Sequence, residues 1–203
     1  MFLISRSGIV MVMLSLAING SIFGQTWDFN KEKDGIKVYT RRAGHTSLKS
    51  FKGEAILHTQ MDKVCQLIGN GENFDWWDEG IRELKVLDYV KDKYIKYYLV
   101  YDVPWPLADR DLCVEANIYD DPLTGQRIVI AKPLPDIMPL NPNYIRIRNY
   151  SQKWIVTPID KNTIKLTLEG FVDPGGIVPS WLYNMVITDT PIKVIKKVKA
   201  RVE

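Results

Sequence analysis

Side chains suited to catalysis are scarce in this chain of 203 residues. Its two histidines, His45 and His58, form no His-x-x-x-His pattern, and its two cysteines, Cys65 and Cys113, form no Cys-x-x-Cys pattern. Gly-x-Ser-x-Gly and phosphate-loop patterns are also absent. Gly69-Asn70-Gly71 follows a predicted helix, which is the wrong context for a dinucleotide loop. We therefore expect neither a catalytic centre nor a metal or cofactor.

Side chains that could orient a bound ligand are more numerous, and two of them flank a bend. Pro104 and Pro106 cannot extend a strand ladder, so the chain turns and Arg110 begins a new strand. Arg110 could face a ligand headgroup or a carboxylate in the cavity, but a structural ion pair with Asp109, Asp111 or another neighbour is the simpler interpretation. Trp105 either lines an opening or stabilises the bend.

Further polar candidates lie in predicted strands. Tyr97, Tyr101 and Glu115 would face inward in one register and outward after a slip of one residue, so their direction stays open. Arg146 alternates with Arg148 on one strand face. They either surround a headgroup or form a solvent-facing ladder.

Tryptophans supply the apolar candidates. Trp76 and Trp77 are adjacent and cannot both point the same way, so we expect one in the core and one at an opening. Trp181 and Met185 begin an apolar stripe along a predicted C-terminal helix that starts near Pro179. The stripe continues through Thr188, Ile192, Ile195, Val198 and Val202.

This helix carries the other marked features of the C-terminus. Pro191 interrupts its hydrogen bonding, so we expect a kink there that shapes the helix or lets it hinge as a lid. Residues 179–203 hold five Lys or Arg and two acids, whereas the whole chain has a net charge of +3. A solvated helix face explains this better than nucleic-acid binding, which we do not expect. A transient contact with an anionic membrane surface is the second interpretation.

Strand patterns fill most of the remaining chain. The first two are predicted at Ile36–Thr40 and Leu48–Leu57, and a helix follows at Gln60–Ile68. Six strands come next, at Glu83–Lys91, Tyr94–Val103, Asp111–Asp120, Gln126–Pro133, Tyr144–Pro158 and Thr163–Val172. Their short connections predict an α+β fold, with helices on one side of a mainly antiparallel sheet. Tyr94–Val103 is apolar on both faces, which suits a strongly curved sheet around an interior.

The N-terminus resembles a secretory signal peptide. Arg6 is the only charge before Asp28, and the short apolar run Gly8–Ala17 leads to small residues ending at Gly24. We expect a signal peptide at 1–24, with an uncleaved anchor as the alternative, and one monomeric domain at 25–203. The protein would then be exported, either secreted or periplasmic. Free thiols at Cys65 and Cys113 are expected, with one disulfide as the alternative.

Several short motifs in order resemble the START domain, the lipid-transfer domain related to the steroidogenic acute regulatory protein. They cover nearly all of the chain after residue 25. The motifs are Trp27 with Asp34–Arg41, Lys49–Gly53, Trp76-Trp77-Asp78, Pro104–Leu107 with Arg110-Asp111, Trp154 with Pro158, and Asp173–Gly176 followed by Pro179, Trp181, Leu182 and Asn184. The resemblance implies a helix-grip fold, in which a curved antiparallel sheet wraps a long C-terminal helix around an internal hydrophobic cavity.

Two functions of different class follow. The first is non-catalytic binding, and transfer, of a lipid or other hydrophobic small molecule. Its site candidates are Trp76, Trp77, Tyr97, Tyr101, Trp105, Arg110, Glu115, Arg146, Trp181 and Met185. The alternative is an enzyme like a polyketide cyclase or aromatase on the same fold, because catalytic carboxylates can converge in space without a sequence motif. An interaction protein with a collapsed cavity is a third interpretation.

Overall fold

A computed structural model describes residues 26–44, 46–72 and 80–203. Within these ranges the chain forms ten strands and three helices. The strands are β1 Asp28–Lys33, β2 Ile36–Arg42, β3 Lys49–Leu57, β4 Ile81–Val90, β5 Tyr94–Tyr101, β6 Arg110–Asp120, β7 Arg127–Pro133, β8 Ile145–Arg146, β9 Tyr150–Asp160 and β10 Thr163–Val172. The helices are α1 Met61–Cys65, α2 Ser180–Val186 and α3 Thr190–Val202.

All ten strands belong to one curved sheet. Nine of them follow the order β1-β2-β3-β10-β9-β7-β6-β5-β4, and every pair along this path is antiparallel. The short β8 pairs in parallel with the start of β6, where Arg110 lies opposite Ile145. The predicted α+β helix-grip fold is confirmed.

The concave face of the sheet carries the core. Alternate side chains of each strand point to this face, so β10 contributes Ile164, Leu166 and Leu168, all completely buried. Helices α1 and α3 cover it with residues such as Val64 and Ile195. Burying apolar surface on this scale is the main stabilising contribution, at about 25 cal/mol per Å².

Helix α3 lies directly on the sheet at Gly53. A Cβ atom added there would lie 2.6 Å from Cβ of Pro191 and 2.9 Å from Cδ1 of Ile195, so only glycine allows this approach. The C-terminal end of the helix is fixed by Thr59, whose hydroxyl donates to the carbonyl of Val202 at 2.8 Å.

Four expectations about the elements need correction. The single C-terminal helix is divided into α2 and α3, because Ile187–Asp189 form turns ahead of Pro191 at the start of α3. The strand predicted at Tyr144–Pro158 is interrupted between β8 and β9. Helix α1 ends at Cys65 and continues to Gly69 only as turns. Strand β1 was not predicted, because its six residues are mostly charged and exposed.

Candidate ligand-binding interior

One row of side chains crosses the concave face from strand to strand. Gln152 of β9 lies opposite Ala131 of β7, which lies opposite Ala116 of β6. On its other side Gln152 lies opposite Gly170 of β10. Every neighbour of Gln152 in this row is therefore a very small residue.

The two sides of this row are filled differently. The ring of Phe51 lies over Gly170, since a Cβ atom there would come within 2.3 Å of it. The space above Ala116 and Ala131 forms a cavity of about 20 Å³. Its wall also includes Ile68, Ile95, Tyr97, Val129, Gln152 and Trp154. This volume is about that of one water molecule, so an acyl chain does not fit there as the structure stands.

The polar groups of this interior are neutral. The hydroxyl groups of Tyr97 and Tyr150 hydrogen-bond to each other. Burial raises the pKa of both phenols well above the usual value, so both stay protonated near neutral pH. The residue Gln152 is 9% exposed, and it borders the cavity.

Arg110 marks the end of the interior. Its side chain points to the concave side, is buried, and donates to the carbonyl oxygens of Pro174 and Ala108. Desolvation lowers the pKa of its guanidinium despite the nearby charge of Asp109. Arg110 therefore joins the loop 102–109 to the loop 173–179, and the ion pair expected for it is replaced by carbonyl contacts.

Arg146 lies on the outer face of the sheet, away from the interior. Its guanidinium bonds both oxygens of Asp111 at 2.9 and 2.8 Å, and the two side chains are 4% and 1% exposed. It also donates to the carbonyls of Pro135, Met138 and Pro139. Arg146 thus holds the segment 135–139 against the sheet, and neither predicted role, around a headgroup or as a solvent-facing ladder, describes it.

The remaining polar candidates divide between the two faces. Tyr101 shares the concave face of β5 with Tyr97 and packs against the core. Glu115 is half-buried and shares the outer face of β6 with Asp111 and Cys113. Arg148, the expected partner of Arg146, is exposed and pairs with Asp136 at 3.3 Å. Tyr97 and Tyr101 therefore border the interior, whereas Glu115 does not.

The apolar candidates that the structure describes are on the surface. Trp105 is 91% exposed in the loop 102–109, and Trp181 and Met185 of α2 are 68% and 59% exposed. The inner face of α2 instead presents Tyr183, whose hydroxyl donates to the carbonyl of Lys49 and accepts from the amide of Val172. The prediction that Trp181 and Met185 lie on the inward face of this helix was wrong. Trp76 and Trp77 lie outside the described residues.

A larger cleft lies at the end of the sheet opposite Arg110, and Gly69 lines both this cleft and the small cavity. It has a volume of about 560 Å³ and is bordered by α1 with the turns after it, by the β4–β5 turn and by the β6–β7 turn. Arg127 in its wall pairs with Asp120 and Asp92.

Both cysteines are free thiols. Cys65 borders this cleft, and burial raises the pKa of its thiol to about 11, whereas Cys113 is buried. No group of His, Cys, Asp or Glu in the described ranges could hold a metal ion.

Sequence reasoning did not single out Tyr150 and Gln152. Their signal was the alternation of Tyr150, Gln152, Trp154 and Val156 along one strand, with one glutamine on an otherwise apolar or aromatic face. A polar residue in such a series marks either a register error or a functional group. Here the register is correct, and Gln152 faces the interior.

Comparison with known proteins gives a consistent family. The model of the START domain family matches residues 25–203. Phosphatidylcholine transfer protein from Bos taurus is 23% identical over 168 residues, which is 81% of this chain and 78% of that protein. The crystal structure of a STAR-related lipid transfer protein from Xanthomonas axonopodis is 28% identical and superposes with a TM-score of 0.77, over 86% of this chain and 97% of that one.

A solved structure of much lower sequence identity also superposes on this chain. The Zhui aromatase/cyclase from Streptomyces is 10% identical and superposes with a TM-score of 0.51, over 74% of this chain and 91% of that one. At this identity the likeness concerns the fold alone.

Proposed function

This chain belongs to the START domain family, and we propose that it binds one lipid or other hydrophobic ligand between its curved sheet and its helices and transfers it. The observation that carries the proposal is the concave face, where the described residues that surround the small cavity at Gln152 are apolar or neutral. Each buried CH₂ group of a ligand would contribute about 0.8 kcal/mol.

Ligand binding requires this interior to widen. A cavity of about 20 Å³ takes one water-sized group, whereas an acyl chain needs several times that volume. The sheet is continuous through β9 and β10, so we expect the widening to come from its cover. The described part of that cover at the cavity is the turn after α1, where Ile68 and Gly69 line it.

We propose that the protein acts without catalysis. The described polar side-chain groups around the cavity are the hydroxyl of Tyr97, the indole N–H of Trp154 and the carboxamide of Gln152, and none of them changes its protonation state near neutral pH. An aromatase or cyclase on this fold would need an acid or a base beside its substrate. This chemistry supports the carrier over the enzyme.

We further propose that the protein reaches a membrane through α2 and the loops beside it. Trp105, Ile177, Trp181, Met185 and Val186 are large apolar side chains with more than half of their surface exposed. The loops that hold the first two meet at Arg110, and α2 follows the second loop directly. Aromatic side chains suit the membrane interface, since the ring is apolar and its edge is polar. No helix in the described ranges is long and apolar enough to span a bilayer.

The place of action is a proposal from sequence alone. Residues 1–24 lie outside the described part of the chain, and their basic, apolar and small-residue order supports export. N-terminal sequencing of protein from the native host's exported fraction should find a start near Gln25. A start at Met1 would contradict this proposal.

The carrier proposal is tested on the purified chain 25–203. Native mass spectrometry, followed by lipid extraction, should find one hydrophobic molecule per monomer. The protein should also speed the movement of that lipid from donor to acceptor vesicles. Absence of any bound hydrophobic molecule, together with no acceleration of transfer, would refute the carrier. Turnover of an added polyketide would instead establish the enzyme.

A further inference from the structure

We infer that Ile68 sets how long a hydrocarbon chain the interior accepts, because the turn that carries it closes one end of the concave face. This inference rests on the proposed carrier function and adds the ligand feature that the protein selects, its chain length. It begins from Gly69, which lines the small cavity on one side and the large cleft on the other. One turn, residues 66–71, therefore separates the apolar interior from the polar cleft.

This turn crosses the concave face from strand to strand. Gly69 lies on β6, where an added Cβ atom would be 3.0 Å from Cδ1 of Ile118. Gly71 lies on β5 and β4, where an added Cβ atom would be 3.2 Å from Cδ1 of Ile95 and 2.7 Å from Cγ of Tyr89. These three strands are neighbours in the sheet. The turn therefore closes tightly onto them, and this approach requires glycine at both positions.

Hydrogen bonds hold the turn in place. The side chain of Asn70 donates to the carbonyl of Gln66 at 3.0 Å and accepts from the hydroxyl of Tyr89 at 3.2 Å. The amide of Ile68 donates to the carbonyl of Val64 at 3.0 Å. The turn is thus tied to the edge strand β4 and to helix α1. Outward movement of the turn carries Ile68 with it, so this side chain also meets the ligand in a widened interior.

Ile68 is the side chain that this turn places at the cavity. It is 2% exposed and lines the cavity together with Val129 and Ala131 of the sheet. A hydrocarbon chain that extends along the concave face towards the turn ends against it. Beyond the turn, the cleft wall carries the charges of Asp120 and Arg127, so further CH₂ groups would gain no apolar surroundings there. Added length therefore raises affinity only until the chain reaches Ile68.

The test measures affinity against chain length. Straight-chain 1-alkanols of about 8 to about 20 carbon atoms compete with diphenylhexatriene, a fluorescent apolar probe, for the purified protein. Each added CH₂ should tighten binding about fourfold, the factor that corresponds to about 0.8 kcal/mol, up to a limiting length beyond which affinity stops rising. A steady rise over the whole series would overturn the inference and leave the carrier function intact. Failure of diphenylhexatriene and of every alkanol to bind would contradict both.

Variants then assign the limiting length to Ile68. Ile68→Ala removes three side-chain carbon atoms and should raise the limit by about two to three carbon atoms, whereas Ile68→Phe should lower it. Val64→Ala is the matched control: Val64 is completely buried on α1 but does not line the cavity, so the limit should stay the same. If Ile68→Ala folds poorly, Ile68→Val should raise the limit by about one carbon atom. An unchanged limit in a folded Ile68 variant would refute the assignment.

Discussion

Replacing Arg146 by methionine separates a structural role of this arginine from a ligand-binding role. The substitution leaves Asp111, whose side chain is 1% exposed, without its partner, and it removes the donors to three carbonyls of the segment 135–139. Breaking a buried pair by removing one member costs about 3–5 kcal/mol. With a denaturant slope of about 2 kcal/mol per M, the urea midpoint should fall by about 2 M.

The matched control is Arg148→Met, two residues away on the same chain segment. Arg148 and Asp136 are 53% and 83% exposed, so their pair contributes about 0–1 kcal/mol and its loss should shift the midpoint by less than about 0.5 M. Tryptophan fluorescence during urea unfolding measures both variants, and an unchanged slope confirms that stability alone has changed. Equal midpoints for the two variants would refute the structural role of Arg146. A stable Arg146→Met variant that had lost lipid binding would restore its predicted role at a headgroup.

Three further predictions concern the helices and the charged cleft. Gly53→Val should lower the free energy of unfolding by about 1–3 kcal/mol in urea titrations, since its side chain would meet the first turn of α3, and a neutral effect would contradict the close approach. Trp181→Ala should weaken sedimentation with phosphatidylcholine vesicles several-fold, whereas Leu123→Ala, at the opposite end of the sheet and 94% exposed, should not; equal losses would refute docking through α2. The hydrogen bond from Arg127 lowers the pKa of Asp120; the stability that Arg127→Met removes should therefore be constant above about pH 5 and shrink below about pH 4, where the unfolded chain takes up a proton on Asp120 before the folded protein does. Urea midpoints that differ equally at pH 7 and pH 3 would contradict the last of these.

Much of the fold followed from periodicity and turn chemistry. The strands from β4 to β7 were predicted to within two residues at each end, because two-residue alternation and short polar turns determine both the register and the antiparallel order. Strand β1 escaped this reasoning. It lies at the edge of the sheet with mostly exposed side chains, so hydrogen bonds to β2 hold it and no apolar alternation marks it.

The candidate site was harder to predict because it depends on which face of each strand is concave. Tyr97 was a candidate whose direction the sequence left open, and the structure places it beside the cavity. Arg146 was misplaced because no pattern reveals that Asp111, 35 residues earlier in the chain, lies beside it. Gln152 was not identified because its position beside a cavity depends on the small residues Ala116 and Ala131 of two other strands.

The break between α2 and α3 explains the error in the C-terminal helix. Spacings of three and four residues connect Trp181 to Val202 as if one helix were continuous, and periodicity does not register three residues of turn at 187–189. Because turns separate the two helices, α2 has an orientation of its own that buries Tyr183, whose hydroxyl bonds the ends of two strands. Trp181 then faces solvent.

The orientation of α2 also changes which helix we expect to contact a membrane. The cations of α3 were the expected contact, but Lys196 pairs with Asp34 and Lys199 pairs with Glu203, so part of their charge is already compensated within the chain. The exposed tryptophan and methionine of α2 gain apolar surroundings only outside the protein, and each would contribute more from insertion than a screened cation contributes from attraction. Raising the salt concentration should therefore weaken vesicle binding less than Trp181→Ala does, and the opposite ranking would return the contact to the basic face of α3.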